Sequence, residues 1–243
     1  MDGEIIVTRE DPIAIVTISR PNKLNSVTYD MFVSFEEKAS QLTNDPDVAA
    51  IIFTGVGEKA FSAGFDMEMM MGLAPDAYMD FFLLLEKTTK TIREAKTCIT
   101  LAAINGFAVG FGAMVASACD FRFFSKTGAL RFPEIDLNIF PGMGAASNLL
   151  HLIGPSKAKD LLLSGRMIEA EEALRIGLAD RVFDHAELLV KTMEFAKELT
   201  QKDRKILFRT KTLIDGITGK TVFGAAEMES AYSEEWLREK RDG

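Results

Sequence analysis

Cysteine is scarce in this chain. Cys98 and Cys119 are the only two among 243 residues. That is too few for a disulfide framework, and neither sits with histidine at metal-ligand spacing. Both read as buried thiols, and no metal is expected. Basic charge is also in short supply: 28 lysines and arginines face 36 aspartates and glutamates, a net charge of −8. Such a surface does not attract nucleic acid or an anionic membrane, and an anionic ligand would need a local basic patch. Internal repeats, low-complexity tracts and linkers are missing too. The first residues, "MDGEIIVTRED", carry acids where a signal or transit peptide would carry bases, so export is not expected and the chain is read as cytoplasmic.

What is present is a globular composition, 47% apolar and 26% charged, at a length ample for a full core. "EIIVTR" (4–9) and "IAIVTIS" (13–19) are β-branched runs split by "EDP", a hairpin signal. Residues 28–43 place Met31, Phe32, Phe35 and Leu42 at helical spacing and stop at "NDPD". "VAAIIFT" (48–54) reads as a buried strand, and residues 75–96, opening on proline, as a long helix. "TLAAI" and "DFRFFS" are strand-like. From about residue 142 the pattern turns helical, with helices expected at 186–201, 203–215 and 221–240. Strand–helix alternation followed by a helical tail predicts an α/β fold.

One run needs a closer reading. Thr97 to Cys119 holds no charge and is interrupted by Gly106, Gly110 and Gly112. Its length would span a bilayer and Gly106/Gly110 form a GxxxG, but Asn105–Gly106 is a turn signal in mid-run. As a dinucleotide loop it supplies half a fingerprint, with valine at 115 and no Walker lysine. A plain core of strand, turn and helix explains the apolarity but not the glycines. Glycines at a strand-to-helix turn let a ligand approach the backbone and leave N–H groups free at the helix start. That geometry can hold a developing oxyanion. "IIFTGVGEKAFSAGFDMEMM" (51–70) repeats the grammar, with Asp66 placed to cap the helix.

Five stretches carry a resemblance: "RPNKLNSVT" (20–28), "FSAGFDM" (61–67), "AAINGFAVGFGAMVASACD" (102–120), "FPEIDLNIFPGMG" (132–144) and "LLLSGRMIEAEEALRIGLADRVF" (161–183). Together, in this order, they resemble the crotonase family, the enoyl-CoA hydratase/isomerase superfamily. The resemblance implies a spiral of ββα units over 1–185 and a C-terminal helical oligomerisation region over 186–243, assembled as a homotrimer or dimer of trimers. It implies an acyl-CoA thioester as substrate, with coenzyme A as part of that substrate and no separate cofactor. It also implies a thioester enolate held by two backbone N–H groups, which fall on Phe65 and Phe111. Phenylalanine at these positions is expected to narrow or reshape the acyl pocket.

Hydratases of this family use two glutamates. The one in the "PE" motif is present as Glu134, after Pro133; the other position falls on Met114, which has no acid–base capacity. An apolar surrounding, for which Phe132, Ile135 and Phe140 are candidates, would raise the pKa of Glu134 toward that of a useful base. Asp136 would share its face if the segment were extended. Some isomerase relatives place a carboxylate just after the second proline of this motif, but Gly142 stands there. The carried-over CoA contacts are Lys23, Leu24, Ala63, Asp66 and Met67, and Met114, Pro133 and Phe140 are further expected substrate-binding residues. The leading expectation is a 3-enoyl to 2-enoyl isomerase using Glu134 alone. A hydratase, a related decarboxylase or hydrolase, and a non-catalytic acyl-CoA binding protein are the alternatives.

Overall fold

A computed structural model describes residues 3–142 and 144–242. The chain forms two compact units, Met1–Thr200 and Gln201–Gly243.

The first unit opens with the hairpin of β1 (Glu4–Glu10) and β2 (Ile13–Ser19). Helix α1 (Tyr29–Asn44) follows, capped by Thr28, whose side chain accepts the Met31 N–H at 3.3 Å. Three strand–strand–helix repeats come next. The first is β3 (Ala50–Gly55), β4 (Ala60–Ser62), α2 (Met67–Gly72) and α3 (Tyr78–Arg93). The second is β5 (Ile99–Ile104), β6 (Phe107–Val109) and α4 (Phe111–Ala118). The third is β7 (Phe121–Ser125), β8 (Ala129–Arg131) and α5 (Ala145–Ser164). The unit closes with β9 (Ile168–Glu169), α6 (Ala170–Arg175), β10 (Arg181–Phe183) and α7 (His185–Thr200).

The first strand of each repeat enters a six-stranded sheet of order β1-β2-β3-β5-β7-β10, and the second enters a four-stranded sheet of order β4-β6-β8-β9. Within these sheets β1–β2 and β8–β9 pair antiparallel and the other neighbours run parallel. This is the expected α/β spiral of ββα units. β3 and β5 are buried along their whole length, as parallel strands covered on both faces must be.

The uncharged run from Thr97 divides into β5, β6 and α4, and each residue of α4 is buried. A helix apolar all round belongs in a core. No helix among the described residues is long and apolar enough to cross a membrane. Beyond shifts of one or two residues at element ends, two features differ from the sequence reading. The expected single strand before α4 is two, because Asn105–Gly106 turns β5 into β6. The helix expected from Pro75 starts at Tyr78, with Pro75–Ala77 forming a 3-10 turn.

The second unit pairs α8 (Arg204–Ile217) with α9 (Val222–Asp242), bridged by a two-pronged Arg209–Glu239 contact at 2.8 and 3.0 Å. Helix α7 lies in the first unit.

Candidate active site

The two strand–glycine–helix junctions meet in space. A side chain on Gly64 would set its first carbon 3.0 Å from the Val109 carbonyl and 3.8 Å from the Phe111 nitrogen. Gly64 has φ 94° and Gly110 φ 52°, conformations that favour glycine. Phe111 is the first residue of α4, so its N–H has no partner within the helix. Phe65 bridges Val27 in parallel, but that bridge uses the Val27 N–H to the Gly64 carbonyl and the Asp66 N–H to the Val27 carbonyl. Among the described residues, neither the Phe65 nor the Phe111 N–H has an acceptor. Two adjacent free amides suit an oxygen that gains negative charge.

Glu134 stands beside them. It begins a 3-10 turn, Glu134–Leu137, directly after Pro133. Its Oε1 lies 4.0 Å from where a side chain on Gly110 would begin. The residue is 6% exposed, and its Oε2 is buried without a hydrogen-bond partner among the described residues. Burial pushes its pKa above the usual glutamate value, partly offset by a hydrogen bond from its own backbone. A carboxyl with one uncommitted buried oxygen is suited to take up and return a proton.

Amides and carboxyl open on a cavity of about 340 Å³. Its walls include Ala63, Met67, Met70, Phe81, Phe82, Leu85, Met114, Pro133, Leu137, Ile139 and Phe140, and Glu134 is the single titratable side chain lining it among the described residues. So the fold brings together Phe65, Phe111, Glu134, Ala63, Met67, Met114, Pro133 and Phe140. Met114 is 6% exposed.

Other residues singled out in the sequence lie off the cavity wall. Lys23 and Leu24 do not line the cavity; Leu24 has φ 52°, and its carbonyl accepts the Ala63 N–H at 3.0 Å. Asp136 does not share a face with Glu134: the segment is not extended, and its carboxylate pairs with Arg131 at 2.6 Å. Ile135 is 43% exposed, whereas Phe132 is buried. Phe65 and Phe111 both line the cavity, and the body of the Phe111 ring lies in the core. It is 1% exposed and packs edge-on against Phe32 and Phe35, with centroids 5.4 and 5.3 Å away. The driving force of aromatic burial turns that ring into the core.

Sequence reasoning missed the walls given by α3, because an apolar stripe at helical spacing reads as core whether it faces a protein interior or a cavity. It also missed the polar web behind Phe65. There Asn25 donates to the Val56 and Ala60 carbonyls, and Ser62 Oγ donates to the Asn25 carbonyl and accepts the Gly64 N–H. Arg20 and Asp66 complete it with an ion pair at 2.6 Å. Among the described residues, no group of three or more His, Cys, Asp or Glu could hold a metal ion.

The chain as a whole is similar to known proteins. A family model described as enoyl-CoA hydratase/isomerase matches residues 8–237. A crotonyl-CoA hydratase of Syntrophomonas wolfei is 36% identical over 198 residues, covering 82% of this chain and 76% of that protein. A probable enoyl-CoA hydratase of Mycobacterium bovis is 35% identical over 239 residues, covering 98% and 87%. Among solved structures, an enoyl-CoA hydratase of Bacillus anthracis superimposes with a TM-score of 0.90 at 27% identity, over 97% of this chain and 91% of that one.

Proposed function

The chain belongs to the enoyl-CoA hydratase/isomerase family, and from that premise we propose that it shifts the double bond of a 3-enoyl-CoA to the 2-position, with Glu134 as the proton carrier. The family acts on acyl-CoA thioesters, and the chain is an enzyme of the hydratase/isomerase type. The observation that carries the finer reading is the wall of the cavity: Glu134 is its lone titratable side chain among the described residues, and Met114, at the position where the resemblance leads one to expect the other glutamate, also lines it.

The ionised Glu134 carboxylate takes a proton from C2 of the 3-enoyl thioester. The electron pair spreads through C2, C3 and C4 onto the thioester oxygen, which the Phe65 and Phe111 amides hold. The same carboxyl then returns the proton at C4, leaving the double bond between C2 and C3. No water is consumed and no second acid is needed. Apolar walls strengthen both the amide–oxyanion contact and the basicity of the carboxylate.

Hydration of 2-enoyl-CoA is the second reading, favoured by the names of the relatives. It needs a water held opposite Glu134 by something other than a carboxylate on the cavity wall. Supplying 3-enoyl- and 2-enoyl-CoA of several chain lengths, with products resolved by mass and chromatography, separates the two. Isomerisation with weak hydration is expected. Strong hydration without a double-bond shift overturns the proposal. A trimeric assembly is proposed with it, supported by the exposed apolar residues Val222, Phe223 and Leu237 on α9.

A further inference from the structure

Both carboxylate oxygens of Asp66 are engaged. Its Oδ2 takes the Arg20 Nη1 donor at 2.6 Å, and its Oδ1 takes the Glu68 and Met69 N–H groups at 3.0 and 3.1 Å. The Arg20 hydrogen bond holds this carboxyl below the usual aspartate range, so it stays ionised. The side chains of the pair are 7% and 11% exposed. An ion pair this deep contributes little net stability once desolvation is counted, so stability alone does not account for its position.

That position is one residue beyond the Phe65 amide. The Val27 N–H donates to the Gly64 carbonyl at 2.8 Å and the Asp66 N–H donates to the Val27 carbonyl at 2.9 Å. Successive amides of an extended segment face opposite ways, so the Phe65 N–H between them is turned from Val27. The Asp66 side chain, held at both oxygens, adds a second anchor beside these two backbone hydrogen bonds. Arg20 ties the anchor to the 20–28 loop: its Nη1 also donates to Ser26 Oγ at 3.0 Å, and its backbone N–H donates to Asn25 Oδ1 at 2.9 Å. Charge matters as well. A bare carboxylate so near would oppose negative charge growing on an oxygen at the Phe65 amide, and the Arg20 guanidinium offsets it.

We propose that the Arg20–Asp66 ion pair is the positioning device of the Phe65 amide, fixing the direction of that N–H and cancelling the opposing charge beside the thioester oxygen. This rests on the reading above that the Phe65 and Phe111 amides hold that oxygen. Arg20 and Asp66 are positioning residues and touch no reacting atom.

The test uses the whole protein and octanoyl-CoA, a saturated probe, with its thioester carbonyl labelled with heavy carbon. Difference infrared spectra read the carbonyl band, alongside kcat and KM for 3-enoyl-CoA. In the wild type the band moves to lower frequency on binding. Asp66→Asn keeps a side chain able to cap α2; it is expected to return the band toward its position in water and to lower kcat by about tenfold or more, with KM changed less than about threefold. Because that change removes the carboxylate charge opposite a buried guanidinium, Arg20→Met/Asp66→Asn is made beside it; removing both charges spares the fold and is expected to give the same loss of band shift. A variant that melts earlier but keeps the wild-type band and kcat overturns the positioning role. So does a double variant indistinguishable from the wild type. If octanoyl-CoA does not bind, or binds without a band shift in the wild type, the amide reading falls and takes this proposal with it. A normal wild-type shift without isomerisation sinks the isomerase reading alone and leaves the band to decide.

Discussion

Glu134 combines two opposed demands. An ionised carboxylate in an apolar wall is a strong base, and it is also costly to bury. Because burial raises its pKa, the folded state keeps the proton to higher pH than the unfolded chain does. The group therefore favours folding at low pH, and that contribution is lost as pH rises through the raised value. Glu134→Gln is expected to lower kcat/KM for the double-bond shift by about a thousandfold and, at neutral pH, to raise the melting temperature; rate assays and calorimetry check the two halves. The acid limb of the kcat/KM profile should lie above the range of an ordinary glutamate, since the proposed proton transfer starts from the ionised form. Met114 supports a converse experiment. Met114→Glu puts a second carboxyl on the wall and is expected to bring out hydration of 2-enoyl-CoA, read by the loss of enoyl absorbance; no gain would show that the wall at 114 does not decide the reaction. Phe111 divides differently. Its amide faces the cavity and its ring faces the core, so Phe111→Ala should cost about 3–5 kcal/mol in denaturant unfolding.

At the scale of elements, the turn before α4 governs the site. Gly110 sits at φ 52° and ψ −112°, where an L side chain is strained. Gly110→Ala is expected to misdirect the Phe111 amide and lower kcat by about tenfold or more, measured beside a melting curve that shows the fold retained. The longer elements could be read from the chain. β2, β3 and β5 are runs of apolar and β-branched residues, and α1 shows its helical period and its Thr28 cap in the sequence. The second sheet could not be read. β4, β6 and β8 have three residues each, too few to show a period of two, and their pairing comes from partners far along the chain. The candidate site was legible only through motifs. "FPEI" marks Glu134 and "VGFGAM" marks the Phe111 turn, but nothing local says that Arg20 meets Asp66 across 46 residues. The 3-10 turn that turns Asp136 away from Glu134 was equally hidden, because the free extended form of "EIDL" would place the two together.

For the whole molecule, the first unit carries all residues of the cavity, and the second presents Val222 at 89% and Phe223 at 75% exposure. Apolar groups so exposed favour association, and sedimentation equilibrium is expected to give three times the mass of one chain, or six. A stable monomer would remove the trimer from the proposal. The free amides of Phe65 and Phe111 have a consequence for descent. A side-chain donor disappears with one codon change, but a peptide N–H survives each replacement except proline. On the proposed reading, wall positions such as 114 are free to drift through inheritance and trade one reaction for another, while the proposed means of holding a charged thioester oxygen passes on unaltered.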